Sequence, residues 1–307
     1  MEFLSDQSNK KNIISLLEKF ISTYSNWIKG KEKEASKLES LFKSRAVDNL
    51  SDCELAFNRM RKGINALKEN KSIFTSFCLM NRAMLIQQIR HNSEPWILTD
   101  DHKDREAPTI EDKSSWPDWD EDKKVNLRLG NWRPFQLAFV LMNLTSLSTE
   151  LNQNNPQDDR GIVDLIWFPT GGGKTEAYFA VAAFDLIHRR LSYGDEGAGT
   201  AVITRYTLRL LASQQFDRTA TFMCSLEMLR REKESLLGKE IFSLGFYAGQ
   251  AASPNNYKKA FEEYEAMLEE ENPDNPFVLQ RCPLCATPII PKRRSENRKD
   301  YGINCTD

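Results

Sequence analysis

The stretch Asp164-Leu165-Ile166-Trp167-Phe168-Pro169-Thr170-Gly171-Gly172-Gly173-Lys174-Thr175 carries the reading of this chain. An apolar run, Leu165 to Phe168, leads through Pro169 and Thr170 into three glycines, a lysine and a threonine. A segment of helical composition, Glu176 to Arg190, follows at once. The order is strand, glycine loop, helix. Glycines let backbone N–H groups converge on a phosphate with no Cβ in the way, and a helix N-terminus adds partial positive charge. Thr170, Gly171, Gly172 and Gly173 would form the cradle. Lys174 would reach the β- and γ-phosphates of ATP, and the Thr175 hydroxyl would ligate Mg²⁺. In the pattern G-x-x-x-x-G-K-[ST] the first position is glycine, whereas here it is Phe168.

The flanking segments extend the alternation. Strands are expected at Gly161 to Phe168, Thr200 to Thr204 and Ile241 to Tyr247, the last ending near Gly249. Helices are expected at Pro134 to Leu147, Glu176 to Leu191, Leu208 to about Lys233, and from Pro254 to Glu269 with Ser253 as N-cap. Strands alternating with helices predict an α/β domain with a parallel sheet over residues 131–280.

Upstream the period changes. Residues 1–91 are expected to be all-helical, a helical N-terminal extension. Ile13, Leu16, Phe20, Tyr24 and Trp27 recur at helical spacing, as do Leu55, Met60, Ile64 and Leu67, with Gly63 a weak interruption. Phe74, Phe77, Met80, Met84 and Ile89 share a third face, which reads as core in preference to a binding groove. Residues 92–130 form an irregular acidic linker with Trp96, Trp116 and Trp119 as anchors. Its Asp118-Trp119-Asp120-Glu121-Asp122 cluster reads as a solvated charge run.

Composition bounds the function classes. The chain has 307 residues, 40% hydrophobic and 28% charged, with a formal net charge of −2. That balance excludes a globally basic nucleic-acid binder, so any contact with nucleic acid is local. No apolar stretch approaches a membrane span, and the polar start, Met1 to Lys11, lacks the apolar segment of a signal peptide. A cytoplasmic location is the default expectation. Cys53, Cys78 and Cys224 read as small buried hydrophobes.

Cys282-Pro283-Leu284-Cys285 with Cys305 gives C-x₂-C-x₁₉-C. Two thiolates around a tight turn, completed by a second pair some way on, hold Zn²⁺ tetrahedrally. Residues 281–307 therefore read as a partial zinc ribbon with three of its four ligands, since the sequence stops two residues after Cys305. His91, His102 and His188 do not stand at ligand spacing to it.

Arg133-Pro134-Phe135-Gln136 stands upstream of the glycine loop. A glutamine amide offers one donor and one acceptor side by side, which matches N6 and N7 of adenine. Trp132 or Phe135 is placed to stack on the purine. Asp195-Glu196 has the composition of a metal-holding acidic box, but it precedes an expected strand instead of following one and is rejected.

Trp132 to Phe139, Leu165 to Tyr178 and Arg205-Tyr206-Thr207-Leu208-Arg209-Leu210-Leu211 together resemble the superfamily 2 helicases of bacterial anti-phage defence, in particular the helicase subunit of DISARM systems. The likeness covers roughly residues 50–307, and Phe77 to Met84 is similar to the segment that precedes the motor there. The resemblance implies a first RecA-like P-loop motor lobe at 131–280, incomplete, with Gln136 as its adenine reader. It implies that Arg205, Thr207 and Arg209 grip the backbone of a DNA strand, although Arg209 stands where a glutamate is common. It also implies ATP and Mg²⁺ as cofactors, Zn²⁺ in the full-length protein, and DNA and other defence-system subunits as partners. The activity implied is that of an ATP-dependent helicase or translocase. Without an acidic box, an arginine finger or a second lobe, the sequence reads as a truncated piece of a longer motor, inactive alone. Two other readings stand beside it: a nucleotide-regulated DNA-binding or assembly module, and a P-loop ATPase that does not act on nucleic acid.

Overall fold

A computed structural model describes residues 1–92, 119–120, 125–126, 129–148, 161–169, 171–206, 209–247, 256–269, 275 and 277–286. Nine α-helices are formed among them. They are α1 (Glu2–Ser5), α2 (Lys10–Ala35), α3 (Ser40–Glu69), α4 (Lys71–Asn92), α5 (Pro134–Leu147), α6 (Lys174–Tyr193), α7 (Arg209–Glu232), α8 (Glu234–Leu237) and α9 (Tyr257–Glu269). Two short strands, β1 (Trp119–Asp120) and β2 (Val125–Asn126), pair antiparallel with Trp119 opposite Asn126. The chain divides into two compact units. The first comprises Met1–Leu85, Asn131–Val202 and Lys233–Glu240, and the second Ile86–Gly130, Ile203–Glu232 and Ile241–Asp307.

The first unit is a helical stack. Ile13, Leu17, Ile21 and Ile28, successively four, four and seven residues apart along α2, are buried, the pattern of a helix with one apolar face, while Leu16 and Trp27, read from sequence as part of that face, are exposed. They are joined in the core by Met60, Ile64 and Leu67 of α3. Phe74, Phe77, Met80 and Met84 of α4 are also buried, so the aromatic and methionine stripe is core, as its spacing suggested. Helix α3 packs on both α2 and α5, and α5 packs on α6. Val140, Leu141 and Leu144 of α5 and Ala177, Ala180, Ala183 and Phe184 of α6 complete the buried set. The alanines on α6 leave room for its neighbours. In the second unit, α7 runs beside the segment 241–247. The Phe242 amide donates to the Glu227 carboxylate at 3.2 Å, and the Phe246 ring meets Phe216 with centroids 4.6 Å apart.

The expected α/β lobe with a parallel sheet is overturned. Among the described residues the β1–β2 pair is the only ladder. The segments 161–168, 200–204 and 241–247 carry no strand pairing. Val163, Leu165 and Trp167 are 94%, 83% and 89% exposed, while the intervening Asp164 and Ile166 are half-buried. The first segment therefore alternates like an extended chain with one side on the helices, and its other side faces solvent. Short apolar runs identify extended backbone, but they do not say which partner supplies the ladder hydrogen bonds. Here helices supply the packing instead. The Ser253–Pro254 helix start and the tryptophans at 96 and 116 lie outside the described residues.

Gly63, read from sequence as a weak interruption, is where α3 meets α5. A Cβ there would lie 2.1 Å from the carbonyl oxygen of Leu141. In an open helix Gly→Ala gains about 1 kcal/mol. Here the obstacle is backbone, so overpacking of about 1–3 kcal/mol or more wins. Gly63→Ala is expected to lower the melting temperature. An unchanged or raised value would show that α3 and α5 do not approach in this way.

Candidate nucleotide-binding loop

Gly171, Gly172 and Gly173 lie between the extended segment and α6. Gly171 and Gly173 have φ of +77° and +82°, a region that side-chain-bearing residues avoid. The Gly172 amide donates to the Pro169 carbonyl at 3.0 Å and closes the turn. Phe168, which occupies the position where the usual motif has glycine, lies over Gly172. A Cβ on Gly172 would be 2.5 Å from the Phe168 ring. The substitution at the first motif position and the glycine at the fifth thus belong together. The loop needs a bare backbone at 172 because an aromatic ring covers it.

Side chains from α5 fasten the loop. The Gln136 Nε2 donates to the Gly173 carbonyl at 2.7 Å, and its Oε1 accepts from the Arg133 amide at 2.8 Å. The residue is only 3% exposed. Pro134 starts the helix without wasting an N–H, and Gln136 closes its first turn. The Arg133 Nη1 donates to the Gly172 carbonyl at 3.0 Å. Phe135 stacks on Phe168 with centroids 4.0 Å apart. The Trp132 indole donates to Asn81 Oδ1 at 2.7 Å. Both aromatics considered for purine stacking are therefore engaged with protein groups in this structure.

Lys174 and Thr175 begin α6. The Lys174 ammonium donates to the carbonyls of Phe168 at 2.6 Å and Pro169 at 3.2 Å, bridging the two sides of the loop. Exchange of neutral carbonyls for phosphate oxygens would give the ammonium charged acceptors and so stronger bonds. The Thr175 hydroxyl accepts from the Tyr178 hydroxyl at 3.1 Å, one turn along. On the other side of the loop, Arg59 of α3 grips Asp164 with both guanidinium nitrogens, at 2.5 and 2.8 Å. The loop, α5, α6 and Arg59 all belong to the first unit. Sequence reasoning found the loop and Gln136, and missed Phe135–Phe168, the Arg133 contact and Arg59–Asp164. All three contacts join residues far apart in sequence, 39 positions for Arg133 and Gly172 and 105 for Arg59 and Asp164, and no local spacing links them.

The other sequence-marked residues are elsewhere. Arg205 is exposed in the second unit and Arg209 opens α7, while Thr207, like Thr170, lies outside the described residues. Asp195 serves a turn. Its Oδ1 accepts from the amides of Lys239 at 2.7 Å and Glu240 at 3.0 Å, with Arg190 3.8 Å away. The Glu240 amide, followed by that of Lys239 and the charges of Arg190 and Lys239, holds its carboxyl below the ordinary range. Cys282 is buried and Cys285 half-buried, and the chain doubles back between them. The Ala286 amide donates to the Cys282 carbonyl at 2.9 Å with Ala286 at φ +56°. Cys305 lies outside the described residues, among which no group of three or more metal-ligating side chains comes together. No helix among the described residues is long and apolar enough to cross a membrane.

A glycine loop followed by a helix that begins Lys-Thr has the residue order of a phosphate-loop motif, while the segment that enters it forms no strand among the described residues. No family model matches the chain. It resembles the DISARM protein DrmA of Bacillus paralicheniformis (strain ATCC 9945a / NCIMB 11709 / CD-2), with 32% identity over 322 aligned residues. The alignment takes in 99% of this chain and 26% of DrmA, so the chain spans about a quarter of that relative's length.

Replacing Gln136 removes partners from a loop carbonyl and a helix-start amide at once. Gln136→Ala should cost about 1–3 kcal/mol, seen as a lower melting temperature without any ligand. Gln136→Glu should cost at least as much, because a carboxylate oxygen would face the Gly173 carbonyl. If Gln136→Glu melts like the wild type, the Nε2–Gly173 bond is absent.

Proposed function

We propose that this chain is the nucleotide-binding part of an ATP-dependent motor that acts on DNA in a DISARM-type anti-phage defence. The observation that carries the nucleotide reading is the glycine loop with the Lys174 ammonium already bridging it. The similarity to DrmA supports the defence setting and the participation of other subunits. In this proposal Gly171, Gly172, Gly173 and Thr170 line the phosphates of ATP, Lys174 binds the β- and γ-phosphates, and Thr175 takes Mg²⁺. Mg²⁺ would shield the phosphate charge when bound. Gln136 contributes by fastening the loop, since both ends of its amide are spent there. The half-turned Cys282–Cys285 segment suits a zinc knuckle, with Cys305 as a further ligand.

Calorimetric titration with ADP tests the nucleotide reading. ADP should bind, and Lys174→Ala should abolish binding by removing the charge opposite the β-phosphate. Gln136→Ala should weaken ADP and GDP alike. Equal ADP binding by wild type and Lys174→Ala would refute the loop assignment.

For DNA, Arg205 and Arg209 supply backbone contacts in this proposal. Loss of either should lower the slope of log K against log salt by about one in the protein that binds DNA. An unchanged slope would remove both from the interface.

A second reading, in which nucleotide is a switch for assembly without unwinding, draws on Asp195. The chain's nearest likeness to an acidic box is committed to the turn at Gly238–Glu240. DNA-stimulated ATP turnover separates the two, since the motor requires it and the switch requires none.

A further inference from the structure

We infer that Arg59 is a positioning residue for the nucleotide loop, acting through Asp164, so that the N-terminal helical layer sets the loop's affinity for phosphate. This rests on the nucleotide reading of residues 168–175. Asp164 is the residue by which the entering segment is tied to α3. On either side of it Val163 and Leu165 point into solvent, as does Trp167. Among the described residues no ladder holds the segment. Its carboxylate is instead held by a guanidinium fork whose side chain is 5% exposed, against 20% for Asp164. A bidentate pair fixes direction as well as distance. Four residues on, Phe168 offers its carbonyl to Lys174 and its ring to Phe135.

The consequence is a direct chain of contacts from α3 to the phosphate-binding lysine. Arg59 holds Asp164, the extended segment carries that position to Phe168, and the Phe168 carbonyl holds Lys174. Helix α3 is also fixed to α5 at Gly63, one turn beyond Arg59, and α5 fastens the other arm of the loop through Gln136. Both arms of the loop thus refer to α3. A partner or modification that shifts α3 would change the loop's fit to phosphate without touching it.

The test is ADP affinity in Arg59→Lys, Asp164→Asn and the double variant, each at a temperature where circular dichroism shows it folded. Lys174→Ala serves as the loop control, and Leu229→Ala, buried on α7 in the second unit, as a destabilised control outside the N-terminal helical layer. Asp164→Asn should lose about tenfold in ADP affinity, and Arg59→Lys, which keeps the charge but not the fork, should lose less. The double variant should lose no more than Asp164→Asn. Leu229→Ala should bind as the wild type does. Wild-type affinity in both single variants overturns the inference while leaving the loop reading intact. So does an equal loss in Leu229→Ala, which would make the pair a matter of stability alone. ADP binding that is absent from the wild type, or indifferent to Lys174→Ala, overturns the loop reading and this inference with it. Should Asp164→Asn fail to fold, Arg59→Lys against Leu229→Ala decides the question.

Discussion

Gln136 joins the first turn of α5 to the last glycine of the glycine loop, and the arrangement around the loop depends on that bridge. A loop with two left-handed glycines has little conformational preference of its own. Its shape must come from groups outside it. Gln136 and Arg133 take the carbonyls of Gly173 and Gly172, Phe135 takes the ring of Phe168, and Lys174 closes the mouth. None of this would hold if α5 were free to move. It is fixed because Gly63 lets α3 approach until backbone nearly touches backbone. A glycine in the middle of a long helix and an amide at the start of another therefore serve the same end.

The buried Arg59–Asp164 pair belongs to the same logic. Breaking a buried ion pair by removing one partner typically costs about 3–5 kcal/mol, because the remaining charge is left without a counter-charge. An apolar pair of similar size would hold the segment to α3 as well. What the ion pair adds is orientation, since a fork meets a carboxylate in one plane. The extended segment, with three large apolar side chains in solvent, is placed by such directional contacts and not by burial.

What the sequence made legible was local. The helical periods of α2, α3 and α4 were plain because each repeats over several turns, and the α4 face is buried as read, but Leu16 and Trp27 of α2 and Leu55 of α3 are exposed, so the period marked the helices better than their buried faces. The glycine loop was plain because its residues are contiguous and chemically peculiar. The sheet was not legible, because Leu165 to Phe168 and Ala201 to Thr204 have the composition of strands whether or not a ladder forms. Strand pairing is a relation between distant segments, and the described residues form it only at Trp119–Asp120 with Val125–Asn126. Gln136 was picked out for its amide, which suits adenine, yet the same donor and acceptor suit a loop carbonyl and a helix amide. Arg59 gave no sign at all, since its partner lies more than a hundred positions away. The resemblance to DrmA reaches along nearly the whole chain and so includes the helical layer as well as the loop.

The most direct measurement is amide hydrogen exchange of the protein with and without ADP and Mg²⁺. If the loop receives phosphate, exchange at Gly171 to Thr175 slows on addition of nucleotide, and the effect is absent in Lys174→Ala. Nucleotide-dependent protection confined to other parts of the chain, with the loop unchanged, would contradict the account.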